Sequence, residues 1–370
     1  MRIAFLDSWL QQAAEGSGTA VAIGGLAEAL TARGHRVERI LPPPAGGLPL
    51  LGRRLAYNLR LPRRLGSTAY DLIVGFDIDG FRIAGACPVP YVCSIKGVLA
   101  EEARCERGWP RRMLGLLALL ERRNARRADL VLSTSRYCCE RIHAHYGVPP
   151  ERLNQVPEGI DLALWQPLDA CAPAQVREPY RLLCVARQYP RKRIADLITA
   201  FATVVQRLPQ ARLTVIGDGP EHSDLVALVR RLGLEGQVEL LGALASDAEV
   251  RAWYGRASVF CLPSEQEGFG IVFLEAMAAG LPVVSTTAAA IPEVVPHGQA
   301  GLLVPPRDPQ ALAGALLQLL SDHGLQERCR SFGRLHVRDF SWDRVAERFL
   351  AAVAPLMPPE PPRPGPPTER

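Results

Sequence analysis

The order of apolar runs along this chain leaves few folds open. Short runs at Arg2–Leu6, Leu72–Phe76, Tyr91–Ile95, Leu130–Ser133, 181–186, 213–216 and 282–285 each lead into a polar or Gly-rich loop. Helical stretches separate most of them, with Val21, Leu26 and Leu30 on one apolar face and Ile194–Arg207 forming another. Strand, loop and helix in repeated alternation predict parallel sheets wrapped by helices. The pattern runs through both halves of a 370-residue chain, which is two domains' worth. The expectation is α/β, two doubly wound domains facing each other with a ligand in the cleft between their strand ends.

Residues 264–282 read Ser-Glu-Gln-Glu-Gly-Phe-Gly-Ile-Val-Phe-Leu-Glu-Ala-Met-Ala-Ala-Gly-Leu-Pro. An apolar run at 257–262 precedes them, so the order is strand, Gly-rich turn, helix. Gly280 suits the position past the helix end, and Pro282 blocks continuation. Such a turn aims backbone N–H groups and the positive end of a helix dipole at an anion. Glu267 and Glu275 stand eight residues apart, and carboxylates beside a phosphate site suit sugar and ribose hydroxyls. A buried packing helix with ordinary acids reads equally well from this stretch alone.

The first half carries loops of the same kind. Asp77-Ile-Asp79-Gly follows Leu72–Phe76, and Lys96-Gly follows Tyr91–Ile95, with Glu101 and Glu102 shortly after. In an open α/β sheet ligand groups gather after strand ends, which makes Asp77, Asp79, Lys96, Glu101 and Glu102 candidates on that side of the cleft. Gly16-Ser-Gly18-Thr opens a helix but is no dinucleotide fingerprint, since Val21 occupies the third glycine position.

Charge adds two signals. Residues 1–168 hold 22 Lys+Arg against 16 Asp+Glu, whereas the remainder holds 21 against 22, so the first half can present a basic surface. Five Arg lie in 53–64 and eight in 104–127, the latter around an apolar octet at 113–120. The octet reads as core and the 53–64 segment as a solvated basic face, while contact with an anionic membrane stays open. Of 43 cationic side chains only Lys96 and Lys192 are Lys. Where Arg is used everywhere else, a retained compact ammonium points to a site that needs one. Nine Cys without a Cys-x-x-Cys pair, and no paired His spacing, suggest reduced thiols and no zinc site. No apolar run is long enough for a membrane span, and the first residues look like a strand and not a leader.

An ordered series of motifs resembles the family-four retaining glycosyltransferases of the GT-B fold, over nearly the whole chain. It comprises Val-Ala-Arg-Gln-Tyr-Pro-Arg-Lys at 185–192, Ile-Gly-Asp-Gly-Pro at 216–220, Pro263-Ser264, Glu-Gly-Phe-Gly at 267–270, Glu275, Gly-Leu-Pro at 280–282, Glu293 and Gly301–Val304. Gly18 before the first helix and Glu158-Gly-Ile-Asp161 continue it. Three positions depart from the family pattern: Ser17 stands where a glycine is common, Lys96 where His is frequent, and Glu158 where Asn is usual.

The resemblance implies a Rossmann-like acceptor domain over 1–168, a Rossmann-like nucleotide-sugar domain over 169–340, a C-terminal helix over 341–357 and a disordered Pro-rich tail over 358–370. It implies transfer of a sugar from a UDP- or GDP-sugar to a glycan, lipid-linked or small-molecule acceptor, with retention, without metal or other cofactor, and without nucleic acid. Arg187, Lys192 and Glu267 would be catalytic. Gly18, Gly217, Gly268, Phe269, Gly270, Ile271 and Glu275 would bind the donor. Asp77, Asp79, Lys96, Glu101 and Glu102 would lie on the acceptor side, Lys96 as the charge partner of a phosphate or an acidic acceptor. The implied setting is bacterial-type envelope polysaccharide synthesis, in the cytoplasm or at the inner face of the membrane. A nucleotide-binding scaffold, an epimerase and a phosphorylase of the same architecture stay open as alternatives.

Overall fold

The computed structural model describes residues 1–9, 18–42, 50–65, 69–165 and 177–358. The loop expected before Gly18, the linkers expected over 42–51 and 167–178, and the Pro-rich tail fall wholly or mainly outside them. Six strands form the first sheet: β1 (Arg2–Leu6), β2 (Arg36–Ile40), β3 (Leu72–Phe76), β4 (Tyr91–Ile95), β5 (Leu130–Ser133) and β6 (Leu153–Gln155). Their order is β2-β1-β3-β4-β5-β6. The second sheet holds β7 (Arg181–Val185), β8 (Arg212–Ile216), β9 (Val238–Gly242), β10 (Val259–Cys261), β11 (Val283–Thr286) and β12 (Gly301–Val304). Its order is β12-β11-β10-β7-β8-β9, and every pairing in both sheets is parallel. This is the doubly wound pair the alternation predicted. Strands covered on both faces read as unbroken apolar runs, and every residue of β3 and β4 is buried.

Helices α1 (Gly18–Ala32), α2 (Leu50–Leu65), α3 (Leu99–Cys105), α4 (Gly108–Arg127) and α5 (Arg136–Tyr146) belong to the first domain. The second carries α6 (Ile194–Arg207), α7 (His222–Arg231), α8 (Asp247–Arg256), α9 (Ile271–Ala278), α10 (Pro309–Ser321) and α11 (His323–His336). Ile194, Leu197, Ile198, Phe201 and Val204 of α6 bury one stripe at steps of three and four. Gly280 ends the α9 turn at φ +71°, as its place in the sequence suggested.

The last helix, α12 (Trp342–Val353), returns to the first domain. Val345, Ala346, Phe349 and Val353 sit in one core with Ile3, Phe5, Leu26 and Leu30. Phe349 meets Phe5 edge-on at 6.3 Å. Trp342 lies against Gly25 and Gly159, where any Cβ would come within 2.2 and 2.3 Å of the indole. Arg33 pins the outside of the helix through Asp343 at 2.7 Å and Glu347 at 2.8 Å. The chain therefore passes between the domains twice, and Ile160 N donates to Phe340 O at 2.9 Å beside the second passage.

Candidate active site

In the second sheet the strand order turns back between β7 and β10, the switch point where open α/β sheets bind ligands. Both strands end in the motifs singled out above. After β7 the chain makes one turn of 3-10 helix over Pro190–Lys192. After β10 it runs through Ser264 to Gly270, the left-handed N-cap of α9 at φ +93°. Glu265 N donates to Arg191 O at 2.9 Å and ties the two loops together. Lys192 Nζ then reaches Glu267 Oε1 at 2.6 Å, and Ser264 Oγ donates to the same oxygen at 2.8 Å. Glu267 is buried, so its charge is held by one ammonium and one hydroxyl. At the start of α9 Phe273 N donates to Gly270 O at 3.0 Å, while the amides of Ile271 and Val272 have no partner one turn earlier in the helix.

Gly217 follows β8 at φ +118°, and a Cβ there would lie 2.1 Å from Ala186 O. Gln188 fastens that loop to the β7 loop, donating through N to Asp218 O at 3.0 Å and through Nε2 to Gly217 O at 2.6 Å. Arg187 is exposed on the same loop. Half-buried Glu275 accepts from Tyr254 OH at 2.9 Å. Burial pushes its carboxyl up to about 7, with the Tyr254 hydrogen bond pulling the other way.

Phe269 differs from the expectation of a donor contact. It is 5 % exposed, belongs to the second domain's core and packs on Phe340 at 5.8 Å. A ring between two glycines in a turn is an anchor for the turn when an apolar partner waits beneath it.

Across the cleft, the first domain grips the same turn. Gly268 O accepts from Thr134 Oγ1 and Ser135 Oγ, both at 2.9 Å, and from Cys138 Sγ at 3.3 Å. A Cβ on Gly268 would sit 2.8 Å from Lys96 O. Glu293 accepts from the first two amides of α5, Arg136 N and Tyr137 N, each at 2.8 Å. Arg191 faces Glu102 at 3.7 Å and Glu106 at 3.6 Å. Gly18 at the start of α1 approaches Ile271, and a Cβ on this glycine would lie 3.5 Å from Ile271 Cδ1. Lys96, Gly18, Glu102, Gly268, Ile271, Lys192 and Glu267 are thus gathered at one cleft.

The other acceptor-side candidates behave differently. Asp79 is 0 % exposed and accepts from Ser8 N at 2.9 Å, Ser8 Oγ at 2.7 Å and Asn58 Nδ2 at 3.0 Å, with Arg54 at 3.6 Å. It fixes the β1 and β3 loops together and presents no free oxygen to the cleft. Asp77, at φ 55°, accepts from Lys96 N at 2.9 Å and Trp9 Nε1 at 3.0 Å. Burial pushes Asp77 up to about 6, against the pull of Arg54 and the Lys96 amide. Glu101 lies 2.5 Å from His145 Nε2. The expectation of five cleft-facing loop residues is therefore corrected. A carboxylate after a strand end serves equally well as the internal fastener of two adjacent loops, and the sequence does not distinguish them.

Lys96 is also corrected. Its Nζ stands 3.1 Å from Glu158 Oε1 and 5.7 Å above the Phe76 ring, with Lys96 and Glu158 side chains 9 % and 6 % exposed. The cation expected to meet a ligand anion meets a protein carboxylate. Two of the departures from the family pattern thus touch one another and neutralise each other.

Sequence reading missed the hydroxyls of Thr134 and Ser135, the Arg191 bridge and the cap by Glu293. Ser135 carried a signal, since it is the N-cap of α5 and also accepts from Cys138 N at 3.1 Å.

Comparison with known proteins bears on this arrangement. A model of glycosyl transferases group 1 matches residues 179–322, and a model of glycosyltransferase family 4 matches residues 16–164. A GDP-mannose-dependent alpha-(1-6)-phosphatidylinositol monomannoside mannosyltransferase of Mycobacterium tuberculosis is 32 % identical over 298 residues, 75 % of this chain and 76 % of that one. A D-inositol 3-phosphate glycosyltransferase of Kribbella flavida is 32 % identical over 256 residues, 66 % of this chain and 59 % of the other. Among solved structures, sucrose-phosphate synthase from Thermosynechococcus elongatus superposes with a TM-score of 0.78 at 23 % identity, over 96 % of this chain and 98 % of that one. WaaG, a glycosyltransferase involved in lipopolysaccharide biosynthesis, gives 0.73 at 21 %, over 95 % and 99 %. The structural likenesses carry the GT-B fold. With the two family models on its two domains and a relative aligned over three quarters of its length, the chain belongs to the family-four, group 1 glycosyltransferases.

Proposed function

We propose that this glycosyltransferase moves a hexosyl group from a UDP- or GDP-sugar to a hydroxyl of a glycan, lipid-linked or small-molecule acceptor, with retention and without a metal. The observation that carries the reading is the Lys192–Glu267 pair at the switch point, 2.6 Å apart beside the start of α9. The donor diphosphate takes Lys192 and Arg187 as its cations, with the α9 amides as further donors. Glu267, released from Lys192, accepts from hydroxyls of the sugar, and Glu275 from those of the ribose. The bond from the anomeric carbon to the diphosphate oxygen breaks while the acceptor oxygen attaches on the same face. The acceptor proton passes to the departing phosphate oxygen. Charge grows on that phosphate as the bond lengthens, and a fixed cation there is worth about 3–4 kcal/mol. Residues of the first domain close over the turn at Gly268 and exclude water.

The metal-independent form is supported by the state of Asp77 and Asp79, whose oxygens serve backbone and side-chain donors of the first domain. The Mycobacterium tuberculosis relative is described as GDP-mannose-dependent, which makes GDP-mannose the first donor to try. The test supplies GDP-mannose, UDP-glucose and related donors with inositol, phosphatidylinositol-mannoside and oligosaccharide acceptors, in the presence of a chelator. Product anomeric configuration is read by NMR. Absence of transfer from any nucleotide sugar, or an inverted product, would overturn the proposal.

A further inference from the structure

The apolar octet at 113–120, read from sequence as core, is covered on one side only: Ala118 is buried and Met113, Leu114, Leu117 and Leu120 are half-buried, while Leu116 and Leu119 are exposed. Helix α4 buries Ala118, Glu121, Asn124 and Ala125. On its other side Trp109 is 71 % exposed, Leu116 58 % and Leu119 60 %. Positions 109, 112, 116, 119, 123 and 127 follow steps of three and four and share one stripe. That stripe reads Trp, Arg, Leu, Leu, Arg, Arg. The only acid of the helix, Glu121, is buried on the opposite side. Arg122, Arg123, Arg126 and Arg127, with Leu119, line an open depression of about 410 Å³ at its C-terminal end.

Three large apolar side chains in a row have no use on a solvated helix face, and four arginines around a hollow have none in an apolar protein contact. A second copy of the same face would set arginine against arginine. An anionic bilayer satisfies both halves of the stripe, because acyl chains take the apolar tips and lipid phosphates take guanidinium groups. Arginine stems also lie along apolar surface while their heads stay polar.

We propose that α4 lies in the interface of an anionic membrane, with Trp109, Leu116 and Leu119 inserted and the C-terminal arginines on lipid phosphates. The helix begins directly after α3 and Glu106, whose carboxylate faces Arg191 of the second domain at 3.6 Å. The Trp109 end of the docked face therefore lies beside the cleft, where a lipid-linked acceptor would enter, while its arginine end runs on to the start of β5. The inference rests on the proposed function only for that acceptor; docking itself needs no transfer. No helix among the described residues is long and apolar enough to cross a membrane, so the contact is at the surface.

The test uses the full chain and vesicles of phosphatidylcholine alone or mixed with phosphatidylglycerol. Co-sedimentation is expected with the mixed vesicles only, weakening as salt rises. Brominated lipids should quench tryptophan emission in the wild type and much less in Trp109→Phe. The triple variant Trp109→Ser, Leu116→Ser, Leu119→Ser should lose about a hundredfold in partitioning. Replacing Arg122, Arg123, Arg126 and Arg127 by Gln should cost about fivefold for each charge removed. Both variants should melt like the wild type and keep full transfer to a water-soluble acceptor, which separates failed docking from a failed enzyme. Equal binding to neutral vesicles, no binding to anionic ones, or unchanged binding by the triple variant would each overturn the proposal. So would a concentration-dependent dimer that the triple variant abolishes.

Discussion

Replacing Glu158 by Gln should destabilise the first domain far more than its position after a short edge strand suggests. Gln keeps the size and one acceptor oxygen but leaves Lys96 charged and enclosed, with only the Phe76 ring for compensation at 5.7 Å. At the observed 3.1 Å, two unit charges attract by about 5 kcal/mol at an effective dielectric of about 20. Desolvation offsets much of that in the intact pair, yet removing one partner exposes the full penalty, about 3–5 kcal/mol. For a domain of this size that corresponds to a fall in melting temperature of roughly 10 °C. Calorimetry and urea unfolding on the wild type, Glu158→Gln, Lys96→Met and the double variant complete a cycle. The double variant should return to within about 1 kcal/mol of wild type, giving a coupling of at least about 2 kcal/mol. If Glu158→Gln melts with the wild type, or the two changes simply add, the pair is not the closed unit its geometry describes.

Four further outcomes follow from the same geometry. Lys192→Ala should lower turnover by about a hundredfold or more, with a fall in melting temperature because buried Glu267 keeps only the Ser264 hydroxyl; wild-type turnover in the folded variant would remove Lys192 from leaving-group stabilisation. Gly268→Ala places a Cβ 2.8 Å from Lys96 O, so small-angle scattering should report a more open pair of domains and transfer should fall at least about tenfold. Glu275, raised to about 7, holds its proton more tightly folded than unfolded, so its contribution to stability is full below the ordinary carboxyl range and is lost as pH rises through 7. Its ionised form is the better acceptor for ribose hydroxyls, so nucleoside diphosphate affinity by calorimetry should rise between pH 6 and pH 8 with proton release, and Glu275→Gln should flatten that rise. Phe349→Ala, at a fully buried position of the first domain's core, should cost about 3–5 kcal/mol and lower the melting transition of the domain formed by the other end of the chain.

Much of this architecture was legible in the sequence because parallel strands buried on both faces must be largely apolar, and β3, β4 and β5 are, with one serine each in β4 and β5. The loops after β8 and β10 were legible because Gly217 and Gly270 occupy backbone conformations that few other residues take. What could not be read was the direction of polar side chains. Asp79 and Glu102 both follow strand ends in the first domain. One is sealed by Ser8 and Asn58, and the other meets Arg191 across the cleft. Their difference lies in which distant segment is folded against them. The same holds for 113–120, where an apolar octet with the period of a helix gave no hint of the side that would be covered. It holds again for Lys96 and Glu158, 62 residues apart, whose mutual neutralisation is invisible until β4 and the segment after β6 are adjacent.

The return of α12 bears on how the protein is made. Phe349 and Val353 complete the core that Ile3, Phe5 and Leu26 begin, so the first domain is finished by a helix synthesised after the second. Between the end of β6 at Gln155 and Val353, a ribosome working at about 5–20 residues per second needs on the order of 10–40 s. Throughout that interval the nascent first domain carries an uncovered apolar face beside β1 and α1. Chaperone engagement or reversible collapse must shield that face until the second domain has been translated and the terminal helix swings back to seal it.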